Sequence, residues 1–109
     1  MKVWLDDERD PNDPIIQQQF GATPDMVWVK TSKDAIELLR NGKVEFLSLD
    51  HDLGPDDDGY KVARWIEEQA YFKQLKPLKW AIHSQNSVGS NNIKMAMLAA
   101  HEYWTLNSM

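Results

Sequence analysis

Three short apolar runs each end in residues able to do chemistry. Asp6-Asp7 follow Lys2–Leu5, Asp50-His51-Asp52 follow Phe46–Leu49, and His83-Ser84 follow Trp80–Ile82. Hard divalent cations such as Mg²⁺ and Mn²⁺ take oxygen ligands, often a few carboxylates completed by water and phosphate oxygens. Asp6, Asp7 and Asp50 form such a set if the ends of the first and third runs lie side by side. If they do not, the acids are ordinary solvated loop charges. Asp56–Asp58 read as turn and helix N-cap residues. His51 and His83 titrate near neutrality and could serve as general acid or base, two of them suiting phosphodiester cleavage, or could be hydrogen-bonded structural residues. Neighbours along a regular strand face opposite ways, so His83 and Ser84 reach one ligand only if the strand has already ended.

Other polar residues extend the constellation. Ser84 could donate to a phosphate oxygen; no G-x-S-x-G elbow surrounds it, which argues against a nucleophile. Ser87-Val88-Gly89-Ser90-Asn91-Asn92 lead into a helical pattern. A helix start exposes unpaired N–H groups that attract anions, and Gly89 permits close backbone approach; the plainer reading is an N-cap loop. Arg9 either clamps a phosphate or balances Asp6 and Asp7. No Walker or Rossmann glycine pattern supports a nucleoside triphosphate or NAD.

Positioning these groups requires strands that end together. The three runs, with a fourth at Met26–Val29, have the length and the Val, Trp, Phe and Ile content of buried strands. Between them lie helical patterns. Ala35, Ile36, Leu38 and Leu39 share one face, with Thr31 and Asp34 as a capping box and Gly42 as the stop. Val62, Trp65, Ile66, Gln69 and Ala70 suggest a second helix, capped by Asp57 or Asp58 and ended before Pro77. Ile93, Ala96, Met97, Ala100 and Trp104 suggest a third, with His101 on it. Asp10–Pro24 carries three prolines and reads as a loop with at most a short helix. Trp4, Trp28, Trp65 and Trp80 read as core. Strands alternating with helices imply a mostly parallel α/β sheet, whose ligand site lies beyond the carboxyl ends of the strands where strand order reverses.

Composition narrows the class. The chain has 109 residues, enough for one domain spanning 1–109, with 42% hydrophobic and 27% charged residues and no Cys. Disulfides, thiolate catalysis and Cys-ligated zinc are excluded. The net charge is −5, which supplies no basic surface for an extended nucleic-acid backbone. No run is long enough to cross a bilayer, and no apolar segment of signal-peptide type follows Met1. The expected setting is cytoplasmic; the oligomeric state is not legible.

The motifs together have a family resemblance. Leu5-Asp6-Asp7-Glu8-Arg9, Ser48-Leu49-Asp50-His51-Asp52-Leu53-Gly54, Gly59-Tyr60, His83-Ser84-Gln85-Asn86 and Gly89–Asn92 resemble the cyclic-phosphate-processing receiver-like domain, a family similar to response-regulator receivers. The resemblance covers nearly the whole chain. It implies a receiver-like (flavodoxin-like) sheet of about four strands with three helices, lacking the last strand-helix unit. It matches Asp6 and Asp7 to the receiver's metal-binding acidic pair, in keeping with the Mg²⁺ or Mn²⁺ that the cluster of Asp6, Asp7 and Asp50 itself suggests. It matches Asp50 to the phosphoacceptor and Ser84 to the hydroxyl that meets the phosphoryl group, with His51, His83 and Asn92 as the additions that mark the family. Asp50, His51 and His83 are then the expected catalytic residues, and Arg9, Asp52, Ser84, Asn86, Gly89 and Asn92 the expected ligand contacts. The ligand would be a cyclic phosphate, a phosphorylated nucleotide or an RNA end. Two features depart from the pattern. The 25 residues after Ser84 accommodate a helix and little more, so the receiver's fifth strand and its Lys are not expected, against a phosphorelay role. Ser87 and Ser90 stand where the family tends to carry Pro and Arg. Metal-dependent phosphoester chemistry is the leading expectation; a non-catalytic module binding a nucleotide or protein is the alternative.

Overall fold

Alternation along the central strands sorts the residues onto two faces. Val3, Leu5, Leu47 and Leu49 face one way and are fully buried; Trp4 and Ser48 face the other and are buried as well. A strand buried on both sides needs cover on both sides. In the computed structural model, which describes residues 1–108, four strands form one parallel sheet: β1 (Lys2–Leu5), β2 (Val27–Val29), β3 (Phe46–Leu49) and β4 (Lys79–Ile82). Their order is β2-β1-β3-β4, so β2 and β4 are the edges. The order reverses between β1 and β3, the place where open α/β sheets bind ligands.

Register makes the strand ends coincide. Leu5 pairs with Leu49, and Leu49 with Ile82. The ladder then runs one step further: Asp50 N–H donates to Leu5 O at 2.9 Å and His83 N–H to Leu49 O at 3.0 Å. Asp6, Asp50 and His83 therefore leave three neighbouring strands at one level.

Four helices connect the strands: α1 (Pro14–Phe20), α2 (Ser32–Arg40), α3 (Gly59–Tyr71) and α4 (Ser87–Asn107). α2, α3 and α4 cover the face bearing Val3 and Leu49, through Leu39, Val62, Ile66, Ile93 and Met97. Full burial of each such side chain contributes roughly 1.5–3 kcal/mol. The caps of α2 and α3 fall on residues the sequence names, whereas α4 is capped by Asn86 and already includes Ser87–Asn92, which are its first turns and not a loop leading into it. Thr31 accepts from Asp34 N–H, Asp58 from Lys61 N–H, and Gly42 takes φ 72 just past α2. Asp57 does not cap α3. Its carboxylate accepts from Ser32 N–H at 2.9 Å and Ser32 Oγ at 2.6 Å, tying the β3–α3 loop to the start of α2.

The helix count is four rather than three. α1 occupies the proline-rich segment and buries no side chain, so it leaves no periodic apolar signal. Its ends are chemical: Asp13 caps Ile15 N–H, Pro14 opens the first turn, and Gly21 closes it at φ 77. The chain between β1 and α1 roofs the second face. Trp4 Nε1 donates to Arg9 O at 2.9 Å, and Pro11 is fully buried. Trp28, Trp65 and Trp80 are only partly buried. No helix among the described residues is long and apolar enough to cross a membrane.

Candidate functional site

Asp6 is the most enclosed polar residue at the sheet's carboxyl edge, with no exposed surface. Its Oδ1 accepts from Glu8 N–H and Arg9 N–H, both at 2.9 Å. Its Oδ2 meets Arg9 Nη1 at 3.2 Å and His83 Nε2 at 3.1 Å. Burial alone would raise its carboxyl; the bonds from His83, the two backbone N–H groups and the Arg9 side chain outweigh that and hold it at about 2. Asp50 leaves β3 alongside and is 5% exposed. Its Oδ1 accepts from His51 N–H at 2.9 Å, and its Oδ2 lies 3.5 Å from Arg9 Nη1. Burial and the neighbouring Asp6 charge push the Asp50 carboxyl up. Asp7, half-buried, accepts no hydrogen bond from the described residues. One oxygen from each of Asp6, Asp7 and Asp50 lies within 4.8 Å of the others.

This donor set fits a hard divalent ion. It is all carboxylate oxygen and carries three formal charges against one nearby guanidinium. Asp7, Arg9, Asp50, Asp52, Gly54 and Gln85 line a cleft of about 390 Å³ over these oxygens, within the range of small-ligand sites. A larger hollow of about 1020 Å³ lies at the opposite, amino end of the strands, beside Lys2, Phe46 and Lys79. It holds none of the residues predicted to bind or react.

His83 is placed behind the cluster, not over the cleft. It is 6% exposed. Nδ1 lies 2.7 Å from Ser48 Oγ, and Nε2 is on Asp6. The ring stacks on Trp4 with centroids 3.7 Å apart. With both nitrogens engaged and one face covered, its geometry is that of a group orienting Asp6. β4 has ended at Ile82, so alternation does not constrain Ser84, whose Oγ accepts from Asn86 N–H at 3.0 Å.

His51 occupies the other side. Its Nδ1 lies 2.9 Å from Asp52 Oδ1. A carboxylate only accepts, so Nδ1 carries the proton in this pair, and Nε2 has no partner among the described residues. The bond holds the Asp52 carboxyl below its usual range. Asn86 Nδ2 reaches Asp52 Oδ1 at 3.4 Å, while Asn86 Oδ1 caps Gly89 N–H at 2.9 Å. Gly89 itself packs on the imidazole: a Cβ there would lie 2.2 Å from His51 Cγ. Asn86 and Gly89 thus build the wall that seats His51. Asn92 is exposed on α4, outside the cleft.

Several participants were not legible as site residues. Gln85 Oε1 accepts from Arg9 Nη2 at 3.3 Å. The Phe20 ring lies 4.4 Å beneath the Arg9 guanidinium. Ser48 had a signal, being polar in the middle of an apolar strand. Phe20 had none, because its approach depends on the path of the β1–α1 loop.

With this geometry in place, the family comparison is decisive. A family model described as the cyclic-phosphate processing receiver domain matches residues 1–99. The chain belongs to that family. No curated protein and no solved structure matches it. The receiver assignment agrees with the parallel four-strand order and with acids at the ends of β1 and β3.

The lowered Asp6 carboxyl predicts that the receiver domain loses stability in acid. That carboxyl is lower in the folded protein than the ordinary 3.8. The associated stability is complete above that value and disappears as pH falls toward about 2. The shift corresponds to about 2 kcal/mol. Urea midpoints measured from pH 5 down to pH 2 should fall for the native chain and fall distinctly less for Asp6→Asn. Equal slopes would remove Asp6 as the cause.

Proposed function

We propose that this receiver domain performs metal-dependent phosphoester chemistry on a cyclic phosphate or phosphorylated nucleotide. The observation that carries the reading is the convergence of Asp6, Asp7 and Asp50 within 4.8 Å at the point of strand reversal. Asp6, Asp7 and Asp50 would hold Mg²⁺ or Mn²⁺, which when bound offsets charge on phosphate oxygens. Arg9 offers the adjacent cationic contact, suited to phosphate by its planar fork of N–H donors. His51 is the proton carrier: Asp52 fixes its Nδ1–H and leaves Nε2 available. Hydrolysis of a cyclic phosphodiester would add a water oxygen to phosphorus and break one ribose O–P bond. The water's proton would pass to the departing oxygen through His51. His83 orients Asp6 rather than meeting the ligand, and Asn86 and Gly89 seat His51.

The test is incubation of the protein with 2′,3′-cyclic nucleotides and cyclic dinucleotides, with Mg²⁺, Mn²⁺ or EDTA. Metal-dependent ring opening is expected, reduced at least about a hundredfold by His51→Gln, the order of one general acid–base group. Tight binding without product would assign the domain to nucleotide capture instead. Neither binding nor product with any of them would end the reading.

A further inference from the structure

The Arg9 side chain sits where a cation is wanted. Its main chain is pinned, with N–H on Asp6 Oδ1 at 2.9 Å and O accepting from Trp4 Nε1 at 2.9 Å. Only the side chain is free to relocate. Nη1 lies between two carboxylates, 3.2 Å from Asp6 Oδ2 and 3.5 Å from Asp50 Oδ2, and Nη2 lies 3.3 Å from Gln85 Oε1. None of these contacts is a bidentate fork, and all exceed the roughly 2.7–2.9 Å of a well-made charge-assisted bond. The Arg9 side chain is 23% exposed, lines the cleft, and rests its guanidinium on Phe20. It is a loosely held charge, shared among groups that each could be satisfied another way.

We infer that Arg9 is a displaceable internal counter-ion, which stands between Asp6 and Asp50 until a divalent cation takes its place and then turns to the phosphate. This rests on the metal-binding reading above and adds a coupling to it. The two cations compete for the same pair of carboxylates, so Arg9 lowers metal affinity in the ligand-free protein. A phosphate in the cleft gives the released guanidinium a new partner. Metal and phosphate therefore tighten one another's binding, by the reciprocity of linked equilibria.

The experiment is Mn²⁺ titration followed by the EPR signal of the free ion, for the native chain, Arg9→Gln and Asp7→Asn, with and without inorganic phosphate. Arg9→Gln should bind Mn²⁺ up to about fivefold more tightly than the native chain without phosphate, the upper end of the scale of one ion pair. Phosphate should tighten Mn²⁺ binding to the native chain more than to Arg9→Gln, which keeps only the direct attraction between metal and phosphate. Asp7→Asn should weaken binding in every condition. Equal or weaker binding by Arg9→Gln, with the native chain still loading metal, overturns this inference alone. No binding by either overturns the metal reading and the inference together. A second measurement needs no glutamine variant. The Arg9 Nε–H resonance, assigned by its loss in Arg9→Lys, should shift on saturation with Mg²⁺; an unmoved signal in metal-loaded protein also overturns the displacement.

Discussion

Gly59→Ala should leave little or no folded protein. A Cβ at Gly59 would lie 2.0 Å from the Asp50 carbonyl oxygen, 3.1 Å from its carbon and 3.4 Å from Ile93 Cδ1. The first two are main chain and cannot rotate away. Gly59 N–H also donates to His51 O at 2.7 Å, so the start of α3 cannot retreat without losing that bond. Overpacking usually costs about 1–3 kcal/mol where side chains can give. Here the backbone must separate, and a loss above about 3 kcal/mol is expected against a total of roughly 5–15 kcal/mol. Gly42→Ala is the control: its Cβ meets nothing within 4 Å, so only its φ of 72 is strained. It should cost about 1 kcal/mol. Urea unfolding by circular dichroism separates the two, and a native-like midpoint for Gly59→Ala would show that α3 can move off β3. Because the obstructing atom belongs to Asp50, partial survivors should also lose metal affinity.

Asp50→Asn should raise the melting temperature of the metal-free protein while abolishing its response to metal. Burial and the Asp6 charge raise the Asp50 carboxyl above its unfolded value. A group shifted upward keeps its proton longer in the folded state, so stability declines as pH rises through the shifted pKa. At neutral pH the Asp50 charge therefore opposes folding, and the uncharged amide removes that opposition. The amide variant should therefore melt above the native chain without metal. Excess Mg²⁺ should stabilise the native chain by mass action and leave Asp50→Asn unmoved, so the order of melting reverses. Scanning calorimetry of both chains in EDTA and in Mg²⁺ checks this. A metal-free Asp50→Asn that melts below the native chain would mean that the Arg9–Asp50 contact outweighs the burial of the charge.

The strands and their polar ends were legible because each is local. Lys2–Leu5 and Phe46–Leu49 keep the predicted bounds, β2 starts one residue later than Met26, and β4 one earlier than Trp80. Alternating helices imply parallel strands, and parallel order puts Asp6, Asp50 and His83 at one edge. What a strand end does not reveal is the direction its side chain leaves. His83 turns inward because Trp4 offers a ring to stack on and Ser48 a hydroxyl to bond. Those partners come from β1 and β3, far off in sequence. Arg9 could be read as a clamp or a balance; its place between Asp6 and Asp50 needs the fold of the β1–α1 loop. Asn92 failed to join the cleft for a helical reason: it falls on the outward side of α4, while Gly89 and Ile93 face inward. α1 was invisible to periodicity because no buried side chain imposes any.

The two margins of the sheet bear on association between copies. An unpaired strand edge is a template on which another chain can add. β2 offers only three residues and is followed by Lys30; β4 offers four and begins with exposed Lys79. Extending the sheet from either side would draw a solvated ammonium toward the incoming strand for few ladder bonds in return. The brevity of these flanks and the lysines beside them guard a fully parallel sheet against edge-to-edge growth into fibres.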